Sequence, residues 1–129
     1  MRILIFLFCL WPMLAQAGGW RFSCTHMDGL NMEITQMDIA EDGALSLRVD
    51  QTMMNGLPQY GLMEAVGTAQ LIQGDPAALE LRAEGSRKVW GGMAGEFTDP
   101  WSYAKRFVFM DERQIRSVGE SRPVICYRN

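Results

Sequence analysis

The single histidine, His26, lies two residues after Cys24, and this Cys-x-His spacing is the first candidate for a catalytic or metal-binding pair. Such a pair could act as nucleophile and base, or could supply two ligands to a metal. A cysteine held in a disulfide can do neither, because both roles need a free thiolate. The carboxylates are scattered over turns and alternating polar positions, and no phosphate loop or serine-hydrolase elbow is present. We therefore predict that the protein is not an enzyme.

Methionine is the unusual feature of the composition, with 10 residues in a chain of 129. Thioether sulfurs bind Cu(I), and exported methionine-rich β proteins handle copper. Against this, Met32 and Met37 are in phase with isoleucines, as core residues would be. We predict no cofactor and keep copper(I) binding as the alternative function. Its ligands would come from His26, Met27, Met32, Met53 and Met54.

A segment rich in glycine and aromatic residues, 90–103, contains Trp90 and Trp101 and is flanked by the basic pairs 87–88 and 105–106. Aromatic anchors on a loop suit recognition of a protein or a sugar. The alternative is that the glycines turn a barrel corner while the aromatic residues cap its core. Both interpretations stay open from the sequence.

Charge and composition narrow the class of partner. The net charge is −3 and no basic run exceeds two residues, so nucleic-acid binding is not expected. Hydrophobic residues make up 48% of the chain, which is enough to build a core and argues against disorder. A length of 129 residues suits one domain and is too short for two ordinary ones.

The first residues, 1–17, have the composition of a secretory signal peptide. Arg2 precedes a short apolar run, and the segment ends in a small-x-small pattern, Ala15-Gln16-Ala17. The apolar run is shorter than the ~20 residues that a membrane-spanning helix needs. We predict cleavage after Ala17, export to the periplasm or the exterior, and a single domain over residues 18–129 with a net charge of −4.

Two cysteines, Cys24 and Cys126, remain after this cleavage. In an oxidising compartment an even count indicates a disulfide, and two cysteines allow one intramolecular pairing. The bridge would close a loop of about 100 residues and stabilise the fold by roughly 4–5 kcal/mol. Two free thiols for metal or redox chemistry are the alternative.

Hydrophobic residues recur with a period of two through most of the chain, and no segment has a convincing helical stripe. The turn signal 41–43 predicts a hairpin, a slip in phase at 35–36 predicts a β-bulge, and a turn is expected at 84–86. Eight or nine short strands result. We predict an all-β fold, a small antiparallel β-barrel or sandwich of about eight strands closed by one disulfide.

The ends of the mature chain resemble a known family. Phe22-Ser23-Cys24 followed by Asp28-Gly29-Leu30 is similar to the opening strand of the periplasmic and membrane-bound inhibitors of c-type lysozyme. That family folds as a small antiparallel β-barrel, in which a late cysteine bonds back near the start, and Cys126 is similarly placed. In segment 54–60, Gly56 and Tyr60 echo the family loop that enters the lysozyme cleft, whereas its serine and arginine have no counterpart here.

The resemblance implies a binding protein for a strongly basic enzyme, and the acidic charge of this chain fits such a partner. We expect an exported, non-catalytic domain that binds a protein or cell-envelope component, with lysozyme as the sharpest candidate. The residues expected to contact the partner are Gly56, Tyr60, Trp90 and Trp101. No membrane span is expected after cleavage.

Overall fold

The computed structural model describes residues 19–54, 56–93 and 95–129, so the predicted signal peptide lies outside the described residues. Within these ranges, no helix is long and apolar enough to cross a membrane. The fold consists of eight β-strands. They are β1 (Trp20–Asp28), β2 (Asn31–Ile39), β3 (Ala44–Met53), β4 (Gln59–Ile72), β5 (Ala78–Gly91), β6 (Phe97–Phe109), β7 (Gln114–Ser117) and β8 (Ile125–Arg128).

The strands form a closed antiparallel barrel in which each strand pairs with the next and β8 returns to β1. The predicted all-β class is confirmed, and the fold is a barrel rather than a sandwich. The register can be followed around the barrel from Cys24 by moving from each residue to the one directly opposite it on the next strand. In one direction, through β2–β5, this path reaches β6 at Asp99; in the other, through β8 and β7, it reaches β6 at Phe109. Closure therefore shifts the register by ten residues along β6, so the strands are strongly tilted and staggered.

The core fills the barrel from alternate positions of the strands, as the period of two requires. Its largest fully buried side chains are Phe22, Met37, Leu47, Leu79, Leu81, Phe107 and Ile115. The predicted Cys24–Cys126 disulfide is confirmed, and both cysteines are buried in this core. It joins β1 to β8, the seam at which the barrel closes.

The predicted hairpin at 41–43 is confirmed between β2 and β3. Gly43 adopts a positive φ of 90°, and the side chain of Asp42 accepts a hydrogen bond from the Ala44 amide at 3.0 Å. Left-handed backbone at the end of the turn favours glycine, which explains this turn signal.

The predicted bulge at 35–36 is wrong. The register of β1 with β2 is unbroken from Trp20 opposite Ile39 to Asp28 opposite Asn31. The change of phase in the sequence arises because Met32 and Ile34 lie on the outer face of β2, whereas the later apolar residues lie inside. Apolar residues on the outside of a barrel mimic a bulge in the hydrophobic pattern.

The predicted turn at 84–86 is also wrong, because β5 continues through Gly85. At this position β4 and β5 approach so closely that a Cβ atom would collide with the Glu64 carbonyl oxygen and lie 2.7 Å from Ala65 Cα. The glycine permits strand packing there and makes no turn.

Replacing Gly85 with valine is expected to lower the free energy of unfolding by about 1–3 kcal/mol, because β4 and β5 must separate to admit the side chain. Ser86→Val, at the exposed neighbouring position, should change stability by less than about 0.5 kcal/mol. Urea denaturation of both variants measures the difference. Equal stabilities would contradict the close approach at Gly85.

Candidate functional site

The two ends of the barrel differ in the connections that they carry. Four connections, 29–30, 54–58, 92–96 and 118–124, lie at one end, which we call the rim end. The shorter connections between β2 and β3, β4 and β5, and β6 and β7 lie at the opposite end, the base end. Loops held by a rigid sheet are common positions for binding residues, so the rim end is the candidate binding surface.

Exposed large hydrophobic side chains are concentrated at the rim end. Of the 13 in the described part of the chain, only Val66, Met110 and Tyr127 lie elsewhere. Scattered exposed apolar residues are normal on a soluble protein, but a contiguous cluster marks an interaction site. The ten at the rim end are Met27, Leu30, Met32, Met54, Leu57, Tyr60, Trp90, Met93, Phe97 and Val118.

Four members of this cluster, with Thr52 between them, form a row on the outer face of the barrel. Met27 is opposite Met32, Met32 is opposite Thr52, Thr52 is opposite Tyr60, and Tyr60 is opposite Trp90. Directly paired residues lie on the same face of a sheet, with Cβ atoms about 5 Å apart. We call this row of five residues the outer row, and it spans β1 to β5.

At the β4–β5 end of the outer row, the rings of Tyr60 and Trp90 are stacked, with centroids 5.9 Å apart and planes 27° apart. Lys88 Nζ lies 6.0 Å from the Trp90 ring and 3.1 Å from a Glu96 carboxylate oxygen. The two rings pack against each other and Lys88 lies beside Trp90, while Tyr60 and Trp90 both remain 37% exposed. A rigid, exposed aromatic pair beside a cation is the composition of a protein-binding hot spot.

The structure separates the four sequence-predicted contact residues into two groups. Gly56 lies in the 54–58 connection with a positive φ of 80°, close along the chain to Tyr60, and Tyr60 is stacked on Trp90. Trp101 instead lies on the inner face of β6, packs against the core and has its ring 5.6 Å from that of Tyr103. It therefore does not share the outer surface with Tyr60 and Trp90.

An ion pair on the inner face near the rim was missed from the sequence. The Arg87 guanidinium donates two hydrogen bonds to the Asp99 carboxylate, at 2.6 and 3.0 Å, and lies 5.9 Å from the Phe97 ring. The hydrogen bond from Arg87 lowers the pKa of Asp99. Leu81 and Ala83 face inward at alternate positions of β5, and continuing this alternation through Gly85 places Arg87 on the inner face as well. The turn expected at 84–86 interrupted the alternation, so the inward position of Arg87 was not predicted.

A second polar group lies where the 118–124 connection meets β6, with the side chains of Lys105 and Glu120 about a third exposed. Lys105 Nζ is 2.8 Å from the Glu120 carboxylate, and the Ser117 hydroxyl donates to the same carboxylate at 3.1 Å. Burial opposes ionisation of Glu120, but its contacts with Lys105 and Ser117 outweigh burial and lower its pKa. Burial, with the charges of Glu120 and Glu33, raises the pKa of Tyr103 and keeps it neutral.

Because the pKa of Glu120 is lower in the folded state, its stabilising effect is complete above its ordinary value of 4.5 and is lost as pH falls through the folded value. The melting temperature of the wild type should therefore fall more steeply than that of Glu120→Gln as pH is lowered below 4.5. Glu112→Gln, at an exposed base-end position, should keep the wild-type profile. Parallel profiles for Glu120→Gln and the wild type would contradict this assignment.

The candidate copper ligands are partly brought together. A cleft of about 210 Å³ at the rim is lined by three of them, His26, Met32 and Met53, together with Asp28, Asn31, Glu33 and Gln51. His26 and Met53 belong to the inner face, whereas Met27 and Met32 belong to the outer face, and Met54 follows the end of β3. The described residues contain no group of three or more histidine, cysteine or acidic side chains placed to hold a metal.

No protein-family model matches the chain, and no curated protein and no solved structure matches it either. The rim end and the side chains that line it are therefore the guide to function.

Proposed function

We propose that this protein is an exported, non-catalytic binding protein that holds a protein or cell-envelope partner against the rim end of its barrel. The observation that carries the proposal is the concentration of exposed large hydrophobic residues at that end, ten of the 13 in the described residues. Burying such a cluster against a partner removes apolar surface from water, which is the main favourable term in protein association.

The side chains of the outer row suit a protein partner. Tyrosine, tryptophan and methionine are enriched in the cores of protein interfaces, and methionine adapts its shape to different surfaces. Tyr60 and Trp90 are held rigid by stacking, so little conformational entropy is lost when a partner covers them. The flexible thioethers of Met27 and Met32 extend the same surface across β1 and β2.

The most specific form of the proposal is inhibition of c-type lysozyme. Gly56 and Tyr60, which echo the inhibitory loop of that family, belong to segment 54–60 at the rim end, and Tyr60 is part of the aromatic pair. The acidic net charge of the chain would attract a strongly basic enzyme and speed association. Lysozyme is therefore the first partner to test.

The test passes the purified, oxidised protein over immobilised c-type lysozyme at physiological salt, with an equally basic unrelated protein as control. We expect binding to lysozyme alone, with loss of lytic activity in proportion to the lysozyme bound. Equal binding to both surfaces would indicate charge attraction only, and the absence of binding would exclude lysozyme as the partner.

Copper(I) binding is the second candidate, and it is favoured by the rim cleft that His26 and Met53 line from the inner face of the barrel. Imidazole and thioether groups are suitable ligands for Cu(I). Titration against a Cu(I) chelator should then show one strong site that Met53→Leu weakens by about tenfold or more. Met110→Leu, at the base end, is the matched control. Equal Cu(I) affinities for the two variants would exclude the cleft.

A further inference from the structure

The rim-end half of β6 has an open edge. β6 extends from Phe97 to Phe109 and pairs with β5 over almost its full length, but it pairs with β7 only from Phe107 to Phe109. Beyond those pairs, the Val118 amide donates to the Arg106 carbonyl at 3.0 Å, and within the described residues no backbone bond from the β7 side reaches 98–104. The ten-residue shift that closes the barrel leaves this segment without a neighbouring strand.

The direction of the backbone groups on this edge follows from the hydrogen bonds at its end. Arg106 directs its carbonyl toward the β7 side, whereas Phe109 donates its amide to Ala77 on the β5 side. Successive residues of a strand alternate in the side to which their N–H and C=O groups point. The backbone groups of Thr98, Ser102 and Ala104 and the carbonyl of Pro100 therefore point to the open side. All four residues are exposed.

We propose that this edge pairs with the same edge of a second copy of the chain, forming a two-fold symmetric dimer through antiparallel β6 strands. The dyad passes beside Trp101, the middle residue of the free segment 98–104. Thr98 and Ala104 of opposite copies then exchange both backbone hydrogen bonds, and each Ser102 amide donates to the Pro100 carbonyl of the other copy. A two-fold interface requires a surface that is complementary to itself.

The side chains of the free segment meet this requirement. On the outer face, Thr98 of one copy lies opposite Ala104 of the other, and Pro100 lies opposite Ser102. These side chains are small, so the two sheets can meet without a clash. On the inner face, Asp99 lies opposite Tyr103 of the second copy, a carboxylate facing a phenol that burial and nearby carboxylates keep neutral. The two Trp101 side chains face each other, and no like charges are opposed over the segment.

Proline at an edge normally discourages pairing, because it lacks an amide. Pro100 lies opposite Ser86 of β5, at a position whose amide would point to the open side. In the proposed register each copy therefore lacks one backbone hydrogen bond, the one that residue 100 would donate to the Ser102 carbonyl of the other copy. The Pro100 carbonyl still accepts a hydrogen bond from the Ser102 amide of the other copy. The Tyr60–Trp90 pair lies on β4 and β5 and not on the open edge of β6, so the dimer does not rest on the proposed function.

The test is the mass of the purified protein by sedimentation equilibrium over about 1–300 μM. We expect the mass to approach twice that of the monomer. Ser102→Pro removes the central donor without removing a bond to β5, and should raise the dissociation constant by about tenfold or more. Ser102→Ala keeps the amide and is the matched control, so it should dimerise as the wild type does.

A monomer mass at every concentration would overturn the proposal, as would a Ser102→Pro dimer as tight as that of Ser102→Ala. If the Ser102→Pro variant does not fold, amide hydrogen exchange of the wild-type protein tests whether this edge is paired in the dimer. The amides of Ser102 and Ala104 should exchange at least tenfold more slowly at high concentration than at low concentration. Unchanged exchange at these two amides would exclude pairing at this edge.

Discussion

Alanine at both Tyr60 and Trp90 is expected to weaken binding of the partner by about a hundredfold or more, because interface hot spots of these residue types contribute about 2 kcal/mol each. The two rings form a stacked, half-exposed pair on the outer face of β4 and β5. Their removal takes away the aromatic part of the outer row. The measurement is the dissociation constant for immobilised c-type lysozyme at physiological salt.

The matched control is the double variant Val66→Ala and Tyr127→Ala. These side chains are also large, hydrophobic and exposed, but they lie outside the rim end. Since both double variants remove exposed side chains, each should keep a melting temperature close to that of the wild type. If the control weakens lysozyme binding as much as the Tyr60 and Trp90 changes do, the contact surface is not the rim end.

Loss of the Cys24–Cys126 disulfide is expected to lower the free energy of unfolding by about 4 kcal/mol. The bridge spans 102 residues, so in the chain-entropy model it strongly restricts the unfolded chain. It also supports a weakly paired seam of the barrel, since β8 has four residues and pairs with β1 at three positions, Phe22, Ser23 and Cys24. Urea denaturation of the Cys24→Ala, Cys126→Ala double variant measures the loss.

Reduced wild-type protein should match this double variant, and a reductant should leave the double variant unchanged. Mass spectrometry after thiol alkylation verifies that the bridge is broken. A loss of stability below about 1 kcal/mol with the bridge verified as broken would contradict the role given to the disulfide.

The class of fold could be predicted from the sequence because a barrel wall imposes a period of two on nearly every segment. The alternation of Leu45, Leu47 and Val49 after the turn at 41–43 defines β3 without ambiguity. The disulfide followed from the cysteine count and the predicted export. These features are local or depend on counting, so they need no knowledge of how strands meet in space.

Features that depend on both faces of the wall were predicted less well. Met32 and Ile34 lie on the outer face, and in the sequence they resemble a shifted core strand. Gly85 was interpreted as a turn because the approach of β4, which requires it, is a tertiary contact. The error at Gly85 also hid the inward position of Arg87 and its pairing with Asp99.

The candidate site could be predicted only in part. The pairing of Tyr60 with Trp90 joins residues 30 positions apart, and the register of β4 with β5 brings them together. Trp101 has the same residue type and lies in the same glycine-rich region, but its odd position on β6 directs it to the core. Residue type indicates what a side chain can bind, whereas strand parity determines the face on which it lies.

The most direct test of the rim end as the binding surface is methionine oxidation by hydrogen peroxide, followed by mass spectrometry, with and without saturating c-type lysozyme. Met27 and Met93 are exposed at the rim end, Met110 is exposed at the base end, and Met37 is buried as an internal reference. We predict that lysozyme slows oxidation of Met27 and Met93 at least tenfold and leaves Met110 unchanged. Protection of Met110 with unprotected rim methionines, or no complex with lysozyme at all, would contradict the account.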